Sequence, residues 1–224
     1  MRHTRITTLA LAVVAACAIS VIASATASAL PLHPELVNGK GETLAKNKFT
    51  SVSGKATLET VKGEKITCKE DTDKGETTGV SSSTSTVNLK GCESAGIKCN
   101  TSGGAAGEIV LKAKAKLVWI KESTEAVGLL LETEPVTVKC SILETIKVEG
   151  TAIGAFSGKG TTFTLALTQS SKGIQEPLEY EEGGKKVKPA VTMSTGTGAK
   201  KFGPEESSLQ TTDTLTFEEP AELR

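Results

Sequence analysis

Glu108-Ile109-Val110-Leu111-Lys112-Ala113-Lys114-Ala115-Lys116-Leu117-Val118-Trp119-Ile120 is the stretch whose reading decides the fold. Lysines alternate with alanine and leucine at period two. Successive side chains of a strand point to opposite faces, so this spacing puts the ammonium groups on one side and the apolar groups on the other. In a helix Lys112, Lys114 and Lys116 would spread around the axis, although Ala, Lys and Leu are good helix formers. The pattern predicts an amphipathic strand of unusual length.

The same reading extends in both directions. Upstream, Phe49-Thr50-Ser51-Val52-Ser53, Ala56-Thr57-Leu58-Glu59-Thr60-Val61 and Lys65-Ile66-Thr67-Cys68 are short Thr- and Val-rich runs, parted by Gly54 and by Lys62-Gly63. That is the pattern of antiparallel strands with tight turns. Downstream, strands are predicted over Ala126–Leu131, Val136–Ser141, Thr145–Ala155 and Thr161–Gln169. A charged hairpin is expected over 179–187 about Gly183-Gly184, and Thr214–Phe217 is expected to close the fold. Lys69–Ser85 and Ser194–Gln210, dense in Gly, Ser and Thr, read as loops. With roughly ten to twelve short strands and no convincing helix beyond the N-terminal segment, the fold class is all-β, an antiparallel sandwich or barrel. It is not an immunoglobulin domain, because Trp119 lies too far beyond Cys68.

Residues 1–29 read as a secretory signal. Arg2 and Arg5 charge the start, 6–22 is almost unbroken apolar sequence, and Ala27-Ser28-Ala29 is a small-x-small exit. Val14-Ala15-Ala16-Cys17 fits a loose lipid-attachment pattern, but the apolar run continues past Cys17. Residues 30–47, with Pro31, Pro34 and Gly-Lys-Gly, form an extended lead, and 48–224 is expected to be a single all-β domain. Loss of the signal removes two arginines and leaves the 26 acidic side chains in slight excess. Such a balance offers nothing to a phosphate backbone, so nucleic acid is not an expected partner. No later segment is apolar enough to span a membrane. The expected location is extracellular or at the cell envelope, with an envelope or extracellular component as partner.

Four cysteines follow the signal: Cys68, Cys92, Cys99 and Cys140. An even number in an exported chain reads as a disulfide framework, with three pairings open. The short Gly-bearing loop between Cys92 and Cys99 favours 92–99, and the strand-like approaches to Cys68 and Cys140 favour 68–140. Those bridges would contribute about 2.5 and 4.4 kcal/mol by loop-closure entropy. A zinc site from the same four lacks a C-x-x-C pair.

Histidine excludes more chemistry than any motif suggests. His3 lies in the signal and His33 in the lead, so the domain proper has none. Nucleophilic triads and His-bound zinc drop out. Carboxylate pairs remain for glycoside hydrolysis, with Glu132 and Glu134 or Glu179 and Glu181 as candidates. Aromatics are only 3% of the chain, however, and Trp119 and Tyr180 are the sole Trp and Tyr. Trp119, between Val118 and Ile120, reads as a packing residue. Glu70-Asp71-Thr72-Asp73-Lys74-Gly75-Glu76 resembles part of a calcium loop with Asp71, Asp73 and Glu76 as would-be ligands, but its glycine falls one place early. It reads as a solvated turn. Asn100-Thr101-Ser102 matches a glycosylation acceptor, and 103–107 is a Gly-rich turn. No catalytic, metal or cofactor residue is assigned.

Phe49-Thr50-Ser51, Gly54, Leu58-Glu59-Thr60, Ile66-Thr67-Cys68, Gly91-Cys92, Gly96 and Cys99 carry a family resemblance, continued by Val127-Gly128-Leu129-Leu130, Cys140, Gly150, Ile153-Gly154 and Asp213–Phe217. The chain resembles a group of uncharacterised secreted proteins of soil actinobacteria. The resemblance implies fold and compartment and brings no activity. The function expected from the residues is therefore a non-enzymatic secreted or envelope-associated β-domain for binding or structure. Two rivals stand beside it: a secreted hydrolase using carboxylates or a Ser-Lys pair, which a cleft with a desolvated carboxylate would favour, and an apolar ligand carrier, which an internal apolar cavity would reveal.

Overall fold

A computed structural model describes residues 31–140, 144–197, 200–201 and 203–224. The signal segment and Cys17 lie outside the described residues. In chain order the strands are β1 (Leu36–Val37), β2 (Lys48–Ser53), β3 (Ala56–Thr60), β4 (Lys65–Cys68), β5 (Glu70–Thr77), β6 (Ser82–Lys90), β7 (Glu93–Ser94), β8 (Ile97–Lys98), β9 (Asn100–Thr101) and β10 (Glu108–Lys121). A 3-10 turn (Glu122–Thr124) leads into β11 (Ala126–Lys139), β12 (Glu144–Ser171), β13 (Ile174–Glu176), β14 (Tyr180–Glu182), β15 (Lys185–Val187), β16 (Val191–Thr197), β17 (Lys200–Lys201) and β18 (Glu205–Leu223).

The expected long strand is β10, and the expected Gly-Gly hairpin is β14–β15, with Gly183 and Gly184 both at positive φ as a type I′ turn requires. The two strands expected over 126–141 are one, β11, interrupted by a register shift between Thr133 and Val136. The two expected loops are largely strand: 69–85 holds β5 and the start of β6, and 194–210 holds the end of β16, β17 and the start of β18. Asp, Gly and Lys have poor β-propensity, but neighbouring strands on both sides override it, β2 and β6 in the case of β5.

The sheet closes on itself. β18 pairs with β2, β2 with β5, β5 with β6, β6 with β10, β10 with β11 and β11 with the first part of β12. Residues 160–167 of β12 then pair with β18. β12 can serve both neighbours because it folds back at Gly158–Gly160. A Cβ on Gly158 would lie 2.5 Å from the Cα of Phe163, and one on Gly154 2.7 Å from the Ala166 carbonyl oxygen. Counting both halves of β12, eight antiparallel passes surround the core, a number that leaves an interior for side chains or one small ligand.

The fold-back makes a prediction. Gly158→Ala combines positive φ (149°) with a backbone collision and is expected to cost about 2 kcal/mol, whereas Gly160→Ala, also at positive φ but with open space, should cost about 1. Urea midpoints of the two variants read the difference. Equal costs would show that the halves of β12 do not run side by side.

Alternation sorts the barrel's inside from its outside. Along β18, Thr211, Asp213, Leu215 and Phe217 are buried while Gln210, Thr212, Thr214 and Thr216 are exposed. One core cluster gathers Phe49, Leu117, Trp119, Leu129, Phe156, Phe163, Leu165 and Phe217. Its rings pack in a chain, with centroids 5.2 Å apart for Phe49–Phe217, 5.3 Å for Phe163–Phe217 and 5.4 Å for Phe156–Phe163. Trp119 is 2% exposed and donates its indole N–H to the Pro31 carbonyl, so it packs as expected. A second cluster holds the four cysteines with Ile66, Ile109, Val138, Ile146 and Met193. On the outer face, Tyr180 covers Val118 and Ile153.

The disulfides are Cys68–Cys92 and Cys99–Cys140, not the expected 68–140 and 92–99. The registers explain the correction. Thr67 opposite Glu93 puts Cys68 across from Cys92, and Asn100 opposite Lys139 puts Cys99 across from Cys140. Each bridge spans 3.9 Å between Cα atoms. The β7–β8 hairpin lies between β4 and β11, and the Cys99 amide donates to the Cys92 carbonyl. The cysteines thus form one row in the order 68, 92, 99, 140. Bonding the middle pair would strand the outer two about 14 Å apart at the ordinary strand spacing, beyond disulfide reach.

Candidate functional site: an interior cavity with a carboxyl wall

A cavity of about 180 Å³ lies inside the barrel between the two core clusters. Phe49, Leu165 and Leu215 reach it from the first, and Ile66, Ile109 and Val138 from the second. Nearly all of its wall is aliphatic, aromatic or small and hydroxylated. Among the described residues its ionisable side chains are Asp71, Asp73 and Asp213.

Strand register brings these three together. On β5, period two turns Asp71, Asp73 and Thr77 inward and leaves Glu70, Thr72, Lys74 and Glu76 exposed. Ser53 on β2 sits opposite both Asp71 on β5 and Asp213 on β18, and Ser51 sits between Asp73 and Leu215 in the next row. Asp71 and Asp213 are each 5% exposed. Thr211 donates its hydroxyl to Asp213 Oδ1 at 3.1 Å. Asp71 Oδ1, Asp73 Oδ1 and Ser51 Oγ are buried without a hydrogen-bond partner. Orphaned buried polar atoms are rare and costly in a folded protein.

All three acids resist ionisation. Burial pushes Asp73 up to about 8, with the charges of Asp71 and Asp213 adding to the effect. Burial likewise raises Asp213 to about 7, helped by Asp71 and opposed by hydrogen bonds from Thr211 and Ser53. Asp71 is raised by burial against hydrogen bonds from Ser53.

The residues singled out from sequence fall elsewhere or take other roles. Asp71 and Asp73 lie on a strand, not a solvated turn, and Glu76 points away from them, so the three make no calcium loop. Among the described residues no group of three or more His, Cys, Asp or Glu side chains is placed to hold a metal ion. Glu132 and Glu134 are exposed on the outer side of β11. Glu179 pairs with Lys186 at 3.2 Å, and Glu181 accepts the Glu122 amide, so this pair anchors the outer hairpin. Asn100 is half-buried and donates to the carbonyls of Thr101 and Gly104. The carboxyl wall escaped the sequence reading, although a signal existed: stepping back by two from Phe217 and Leu215 lands on Asp213.

No family model, curated protein or solved structure matches this chain.

Proposed function

We propose that this protein is a secreted carrier of a small apolar ligand, bound inside the barrel. The apolar cavity carries this reading, since cores are otherwise packed to the density of organic crystals. An apolar cavity of about 150 Å³ already takes up benzene, so the space suits a single ring or a short chain. The exterior supports a freely diffusing carrier, because exposed Lys48, Lys74, Lys112 and Lys114 decorate strands that a membrane barrel would face with apolar residues. The two cystines favour an oxidising compartment, in keeping with the signal-like N-terminus.

Ala113 lines the cavity and is buried. Ala113→Leu is expected to weaken binding of propylbenzene at least tenfold, read by titration calorimetry, while leaving the thermal midpoint unchanged or higher as the void fills. Failure of the wild-type protein to bind any one-ring compound, whether a hydrocarbon, an alcohol or an amine, would end the carrier reading.

A further inference from the structure

Among the described residues the cavity wall has three carboxyl groups and no base. Among its lining residues there is no lysine, arginine or histidine. We infer that the ligand is a small apolar amine whose ammonium group sits among Asp71, Asp73 and Asp213 while its hydrocarbon body fills the Leu- and Phe-lined space. This rests on the carrier reading and narrows it to a chemical class.

The argument is one of matching. A neutral ligand with one polar atom needs one partner and gives no reason to gather three carboxyl groups on β5 and β18, the two strands that flank β2. An ammonium offers three donors and one positive charge. Asp71 Oδ1 and Ser51 Oγ, each on a residue at least nineteen-twentieths buried, are aimed into the cavity with nothing to bond. A desolvated carboxylate next to a desolvated ammonium gains far more than the same pair in water. The three groups do not form a metal site, as noted above, so the cation they suit is an organic one.

Among the described residues nothing else charged faces this wall. β2 contributes Ser51 and Ser53, β6 contributes Val87 and Leu89, and the second half of β12 contributes Leu165. The charged residues of these strands and of β5, namely Lys48, Glu70, Lys74, Glu76, Lys90 and Lys159, are exposed, and on β18 the nearest, Glu206 and Glu218, are exposed as well.

Three isosteric probes test the inference by titration calorimetry: phenethylamine, 2-phenylethanol and propylbenzene. At pH 7.5 the amine is expected to bind at least tenfold tighter than either neutral probe. Its affinity should rise about tenfold per unit between pH 5.5 and 7, because acids that hold protons in the empty cavity must release about one to receive the ammonium. The released proton is read from the dependence of the apparent enthalpy on buffer. Asp73→Asn should shrink the amine-to-hydrocarbon ratio at least tenfold. Equal binding of amine and alcohol, or an amine affinity flat with pH, overturns the amine assignment and leaves the carrier standing. Binding of none of the three overturns both. The pH series on the wild-type protein decides the matter even if the variant does not fold.

Discussion

Raising the pH of the ligand-free protein from about 4 to 8 is expected to remove on the order of 5 kcal/mol of stability. Asp73 is pushed up to about 8 and Asp213 to about 7 by burial and mutual repulsion, and Asp71 is raised too. In the unfolded chain each returns to the ordinary carboxyl range near 3.8. Between these limits the folded state holds protons that the unfolded state has released. Stability is therefore fully present below about pH 4 and is lost as pH rises through the folded values. Few proteins show this sign in this window, since paired carboxylates usually push the other way. Among the described residues Glu182, held low by its hydrogen bond with Lys116, is the one acid shifted downward. Urea midpoints at pH 4.5, 6, 7 and 8.5 read the effect. Asp73→Asn should flatten the curve and raise the midpoint at pH 8.5 above that of the parent. A midpoint constant or rising over the whole range would show that the three aspartates are solvated.

The second large effect concerns the cystines. Cys68–Cys92 and Cys99–Cys140 close loops with separations of 24 and 41 residues. Loop-closure entropy gives about 3.5 and 4 kcal/mol for them, and their loops do not overlap, so the contributions add to first order. Domains of this kind have about 5–15 kcal/mol in total. Replacing all four cysteines by serine is expected to leave the protein largely unfolded at 37 °C. The paired variants Cys68→Ser with Cys92→Ser, and Cys99→Ser with Cys140→Ser, should each fold with a lower midpoint. Peptide mapping of the unreduced protein tests the connectivity, and a 92–99 cystine in the map would contradict the row order of the four residues.

Those two results depend on features of unequal legibility. Strand character was readable at β10, β2, β3 and β4 because alternation of side chains is a local property, set by the backbone's two-residue repeat. β5 was not readable as strand. Its Asp71, Asp73 and Gly75 argue locally for a turn, and only ladders with β2 and β6 on either side make the segment extended. Once it is a strand, the same repeat that exposes Lys74 and Glu76 must bury Asp71 and Asp73. The carboxyl wall was thus hidden by one wrong local reading. The cystine pairing failed for a different reason. Proximity in sequence favoured 92–99, but the hairpin between those residues inserts between β4 and β11 and offers each cysteine a partner on its outer side.

Taken by itself, the sequence determined that the chain is built of antiparallel strands with apolar inward and polar outward positions. It also showed that residues 48–224 hold no histidine, because composition and period-two patterning need no knowledge of which segment meets which. Only the tertiary structure decided that the sheet closes, that β12 doubles back to complete it, which cysteines join, and that three aspartates meet inside. Each of these depends on register between segments far apart in the chain, and a shift of one residue would turn every such side chain to the opposite face.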